Sequence, residues 1–135
     1  MALIRANSGS GGGSGSPEVL WTNTSPTTVI SSPYTITLSK SIENYDYIKF
    51  TFRVSTSVAT EMSVIASVSD VKNSVGNRPG LSLTSPFGAN TSSQSHQVRR
   101  ILYSSNTAIS IQSLYPLSGF LTDLIIPTSV SGIKL

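Results

Sequence analysis

The longest regular alternation of apolar and polar residues in the chain is Tyr45–Val54, YDYIKFTFRV. Ile48, Phe50, Phe52 and Val54 fall on one side of an extended chain, and Tyr45, Tyr47, Lys49, Thr51 and Arg53 on the other. A period of two predicts a strand with one face in the core and one wetter face. Further strands are predicted at Val19–Trp21, Tyr34–Ser39, Glu61–Val68, Leu81–Leu83, His96–Tyr103, Ala108–Gln112, Gly119–Ile126 and Val130–Leu135, and Thr28–Ser31 is also β-prone. Within Glu61–Val68, the residues Met62, Val64, Ala66 and Val68 share one side, and Ser63, Ile65 and Ser67 the other.

Turn compositions separate these runs: Asn23-Thr24-Ser25-Pro26, Ser32-Pro33, Gly76-Asn77, Pro79-Gly80, Ser105-Asn106 and Pro127-Thr128. Residues 69–94 are the least regular, with SDVKNSVGNRPG reading as turns and Ser85–Gln94 as a long exposed loop. No stretch carries a capped 3.6-residue period. Short strands recurring between turn signals predict an all-β fold, an antiparallel, jelly-roll-like sandwich of about 8–10 strands. It would occupy residues 17–135.

Residues 8–16, SGSGGGSGS, have the composition of a flexible Gly/Ser linker, spanning roughly 15–18 Å as a coil. A cloning linker looks like this, but the preceding residues 1–7, MALIRAN, hold neither an affinity tag nor a protease site. The other reading makes residues 1–7 an anchoring peptide, with Ala2, Leu3 and Ile4 adding as a strand to the sheet edge of another subunit.

Composition narrows the chemistry. Only 11% of the 135 residues are charged, so Ser, Thr and Asn keep the surface wet. With no cysteine, disulfides, thiolate metal sites and a cysteine nucleophile are excluded. The net charge of +3 comes from scattered basic residues, and the adjacent pair Arg99-Arg100 would point to opposite faces of a strand. That is not the concentrated basic face of a nucleic-acid binder. No apolar run is long enough to span a bilayer or to serve as a secretory signal, which predicts synthesis in a cytoplasm without membrane insertion.

His96 is the one histidine, and no G-x-S-x-G elbow accompanies it. The six acidic residues are spread out, with only Glu43 and Asp46 close in sequence, so neither a carboxylate pair nor a calcium loop is spelled out. Phosphate-binding motifs are missing too. The expectation is a protein without catalytic activity, cofactor or metal. Tyr45, Tyr47 and Arg53, on the wetter side of the longest strand, are the candidate contact residues. They suit a subunit interface, since Tyr and Arg are enriched there. The alternative is a carbohydrate-binding module, with Tyr45, Tyr47 and the 85–94 loop holding a glycan.

Three stretches carry a family resemblance: LWTNTSPTT at Leu20–Thr28, YDYIKFTFRVST at Tyr45–Thr56 and IPTSVSGIKL at Ile126–Leu135. They resemble the small C-terminal domains of tail, baseplate and fibre proteins of bacteriophages that infect Gram-positive bacteria. In those domains a Leu-Trp-x-Asn start, a Tyr-Asp-x-Ile strand and an Ile-Pro-x-x-x-x-Gly-Ile-Lys end recur around variable middles. The resemblance implies a β-sandwich on the virion exterior, commonly a homotrimer, with loops facing host cell-surface glycan and no catalytic residues. Here the module stands nearly alone on its tail, which suits a small fibre, decoration or accessory protein held to other virion proteins by its N-terminal peptide.

Overall fold

The computed structural model describes residues 15–30, 33–55, 59–76, 80–85, 96–113, 120–121 and 125–135. Among the described residues nine strands form: β1 (Glu18–Thr22), β2 (Tyr34–Thr37), β3 (Tyr47–Arg53), β4 (Glu61–Ser67), β5 (Ser82–Ser85), β6 (His96–Ser105), β7 (Ala108–Ser113), β8 (Phe120–Leu121) and β9 (Ile126–Ile133). They make two sheets, β1-β9-β3-β4 and β2-β7-β6-β5. Every pairing in those two orders is antiparallel. The short β8 joins the second sheet by running parallel to the start of β6. The architecture is the expected all-β sandwich. β1 pairs with β9, the first described strand with the last, and β2 with β7 nests inside that pair, the long-range pairing of a jelly roll, while β3–β4 and β5–β6–β7 are hairpin connections, each within its own sheet.

The predicted core face of β3 is the core. Ile48, Phe50 and Phe52 are buried, Val54 packs against them, and they meet Ile36, Leu83, Ile101, Ile109 and Ile111 of the other sheet. Each such side chain contributes about 1.5–3 kcal/mol of transfer free energy. On β4 the same parity holds, with Met62, Val64 and Ala66 turned inward and Ile65 exposed.

Four expectations need correction. The stretch after β4 is not all turns, because Val68–Asn73 forms a helix, α1. Ser67 caps it by accepting the Asp70 N–H at 3.0 Å, Asp70 sits in the first turn and Val71 is buried. Ser-x-x-Asp is a capping signature, but six residues are too few for a helical period to register. Val68 therefore opens a helix instead of closing a strand. Second, Pro127-Thr128 does not separate two strands, because β9 runs through both. The ladder with β3 shifts register between Thr51 and Phe52, opposite these residues, and such an irregularity is where a sheet accepts a proline. Third, the described part of Thr28–Ser31 forms no strand, though Ile30 is buried. The β6–β7 turn falls at Asn106-Thr107, one residue beyond the predicted pair, with the Tyr103 hydroxyl donating to Asn106 Oδ1 at 2.7 Å.

Two buried polar side chains tie the second sheet together. Ser74, after α1, donates from Oγ to the Ile101 carbonyl (2.6 Å) and accepts the Leu81 N–H (2.9 Å). Arg99 and Arg100 do point to opposite faces, and Arg99 takes the inward one. Its side chain is fully buried on the same face of β6 as Ile101, and Nη2 donates to the Ile30 carbonyl at 3.1 Å.

Candidate functional site

The three stretches that carry the resemblance lie on neighbouring strands, β1, β9 and β3, and touch one another. Past the end of β1, the Asn23 side chain donates to the Pro127 carbonyl (2.8 Å) and its backbone N–H to Thr128 (2.8 Å). Before β3, the Asp46 N–H donates to the Ile133 carbonyl (2.9 Å), and its carboxylate accepts the Leu135 N–H (2.8 Å). The Asp46 carbonyl takes the Val68 N–H at 3.1 Å, and the chain bends at Asp46. Tyr45 lies before that bend, and its ring covers Gly132 of β9.

This placement corrects the expectation for Tyr45. It does not share the wetter face with Tyr47 and Arg53, because it precedes the strand and packs against the core. Its hydroxyl donates to Glu18 Oε1 at 2.7 Å, and Glu18 also pairs with the Lys40 ammonium. The Lys40 contact, with the Tyr45 hydroxyl second, holds the Glu18 carboxyl below its ordinary range. Burial, reinforced by Glu18, pushes the Tyr45 phenol up to about 12. An unfolded tyrosine ionises near 10, so this contribution to stability is whole below pH 10 and is lost as pH rises through 12. Urea midpoints at about pH 9 and about pH 11 should drop further in the wild type than in Tyr45→Phe. An equal drop in both proteins would refute the assignment.

Tyr47 and Arg53 do share the outer face of β1-β9-β3-β4, at opposite ends of β3 and roughly 20 Å apart by strand rise. Tyr47 is 38% exposed and stands in register with Ile133 and Ser67. Arg53 is half-buried, opposite Glu61. Between them, register builds two cross-strand rows. One is Val19–Ser131–Lys49–Ile65 and the other Thr22–Ser129–Thr51–Ser63, with the Thr51 and Ser63 hydroxyls 3.1 Å apart. Val19 (58% exposed), Ile65 (57%) and Tyr47 are three of the five exposed large hydrophobic residues among the described residues. Apolar groups interleaved with hydroxyls, around the lone ammonium of Lys49, make a face suited to contact with another surface.

Sequence reasoning missed Val19 and Ile65 as members of this face. The alternation placed Ile65 on the outer side of its own strand, but only the register with β3 sets it beside Lys49. Of the glycan site expected from Tyr45, Tyr47 and the 85–94 loop, Tyr45 is engaged over Gly132, and residues 86–94 lie outside the described residues, as do Ala2, Leu3 and Ile4. His96 opens β6, with its backbone opposite Phe120. The chain enters β1 beside its other end, where the Gly15 N–H donates to the Lys134 carbonyl at 2.6 Å.

No family model, curated protein or solved structure matches the chain.

Proposed function

We propose that the chain is a structural or accessory protein of a bacteriophage virion, without catalytic activity. Residues 1–7 hold it to other virion proteins, and the sandwich is displayed outward in several copies. The support is the resemblance of the three stretches. They lie side by side on β1, β9 and β3, where Asn23 bonds to Pro127 and Thr128, Asp46 bonds to Ile133 and Leu135, and Tyr45 covers Gly132. On this reading the motif residues are the clasp of a module, and contact with neighbouring subunits belongs to the outer face that carries Tyr47, Lys49 and Arg53.

Antibody raised against residues 17–135 should decorate intact phage particles in immunogold electron microscopy. Deleting Met1–Asn7 should abolish that labelling while leaving the melting temperature of the purified protein unchanged. Label found only on soluble protein, never on particles, would defeat the virion reading; unaltered incorporation of the truncated chain would defeat the anchor alone.

A further inference from the structure

Among the described residues, the four edges of the two main sheet orders are not equally protected. β1 has a register irregularity between Val19 and Trp21, and its Leu20 carbonyl is taken by the Ser39 N–H at 2.9 Å. β2 and β5 are only four residues long. β4 differs from all three: seven residues, each in unbroken register with β3, without proline, lysine or bulge. Short length, bulges, lysine and proline are among the devices that stop an edge from recruiting another strand, and β4 has none of these four.

Its side chains are incompletely covered on both faces. Met62 and Val64 turn inward but are only half-buried, although their partners across the ladder, Phe52 and Phe50, are 0% and 2% exposed. On the outer face Ile65 stands open. A strand laid against this edge would cover all three.

We propose that β4 pairs antiparallel with β4 of a second copy, about a two-fold axis at Val64, joining two sandwiches through one continuous sheet. A second copy is the occupant that fits, because this edge is self-complementary: it is regular over all seven residues and its single charge lies at one end, so a two-fold pair keeps like charges apart. Centred on Val64, inward residues oppose inward ones, Met62 facing Ala66 and Val64 facing its counterpart, while Ser63 faces Ile65 on the outer side. Glu61, the one charged residue of β4, falls opposite Ser67, so its two copies lie at opposite ends of the pair. A parallel arrangement in the same register would set the two carboxylates side by side. This contact does not depend on the virion reading.

Light scattering should give an even multiple of the 14.3 kDa chain mass, halved in Ile65→Glu. In the single sandwich that carboxylate would stand opposite Lys49, a favourable pair, while in the double sheet it would put two carboxylates near the axis. Val64→Cys supplies a second measurement that does not need Ile65→Glu to fold. The chain has no cysteine, so a disulfide can form only between copies. Opposed residues in an antiparallel pair lie within disulfide reach, about 4.5–5.5 Å between Cα atoms, and Val64 faces inward, where stacking of outer faces could not bring two copies together. Rapid oxidation to a covalent dimer is expected. An odd multiple of the chain mass, a mass unchanged in folded Ile65→Glu, or Val64→Cys that stays uncrosslinked overturns the proposal. A lone trimer that dissociates on Tyr47→Ala overturns it too, and leaves the virion reading standing.

Discussion

Arg99→Ala is expected to cost about 3–5 kcal/mol of stability, the range of large-to-small core changes, and to be the most damaging of the substitutions considered. Arg99 is the largest of the fully buried side chains among the described residues. It fills the inward face of β6 opposite Leu83, and its guanidinium holds the Ile30 carbonyl. Alanine would remove the volume and also strand that carbonyl, which adds about 1–3 kcal/mol where no water reaches it. Arg99→Met separates the two effects. Methionine restores most of the volume without the charge, and such exchanges of buried ions for apolar groups are often tolerated. Chemical denaturation should therefore rank wild type above Arg99→Met and Arg99→Met above Arg99→Ala. If Arg99→Ala falls within about 1 kcal/mol of wild type, the side chain is not acting as core filling.

Gly132→Ala is the second large effect. A Cβ at this position would lie 2.5–2.6 Å from three ring atoms of Tyr45, closer than any relaxed contact. The ring has little room to retreat, because it packs against the core and its hydroxyl is tied to Glu18. Overpacking of this kind costs about 1–3 kcal/mol, and the upper half of that range is expected here. Tyr45→Ala removes the obstacle, so the double variant Tyr45→Ala/Gly132→Ala should be more stable than the sum of the two single losses predicts. Simple additivity in denaturant titrations would mean that ring and glycine are not in conflict.

These residues also mark the limit of what a sequence writes locally. Tyr47–Arg53 was legible because a strand buried on one face writes its period into the sequence, and Ile48, Phe50 and Phe52 are buried as that period predicts. The sandwich followed from many such runs. Tyr45 was not legible: parity assigned it to the outer face, but parity applies only within a strand, and the chain bends at Asp46 before β3 begins. Parity sets Arg99 opposite Arg100, yet nothing local distinguishes which of two arginines turns inward; that depends on Leu83 and Ile30, brought up from distant parts of the chain. Proline misled for a related reason. Pro127 breaks a ladder only where its missing N–H is needed, and a register shift opposite it removes that need. The outer face that we assign to subunit contact was half visible, through Tyr47 and Arg53, while its rows required the register of four strands.

The strand order also sets a timetable. β9 lies between β1 and β3, yet it is synthesised after both. At about 5–20 residues per second, a nascent chain spends seconds with β1 and β3 made and the strand that joins them missing. The β3–β4 hairpin and the β5–β6–β7 run link neighbours in sequence and can form during that interval. The clasp of Asn23, Asp46 and Gly132 cannot, because every one of its contacts waits for β9. Until then the growing chain exposes the strand flanks that β9 will cover, and its safety from aggregation rests on how soon that last strand arrives.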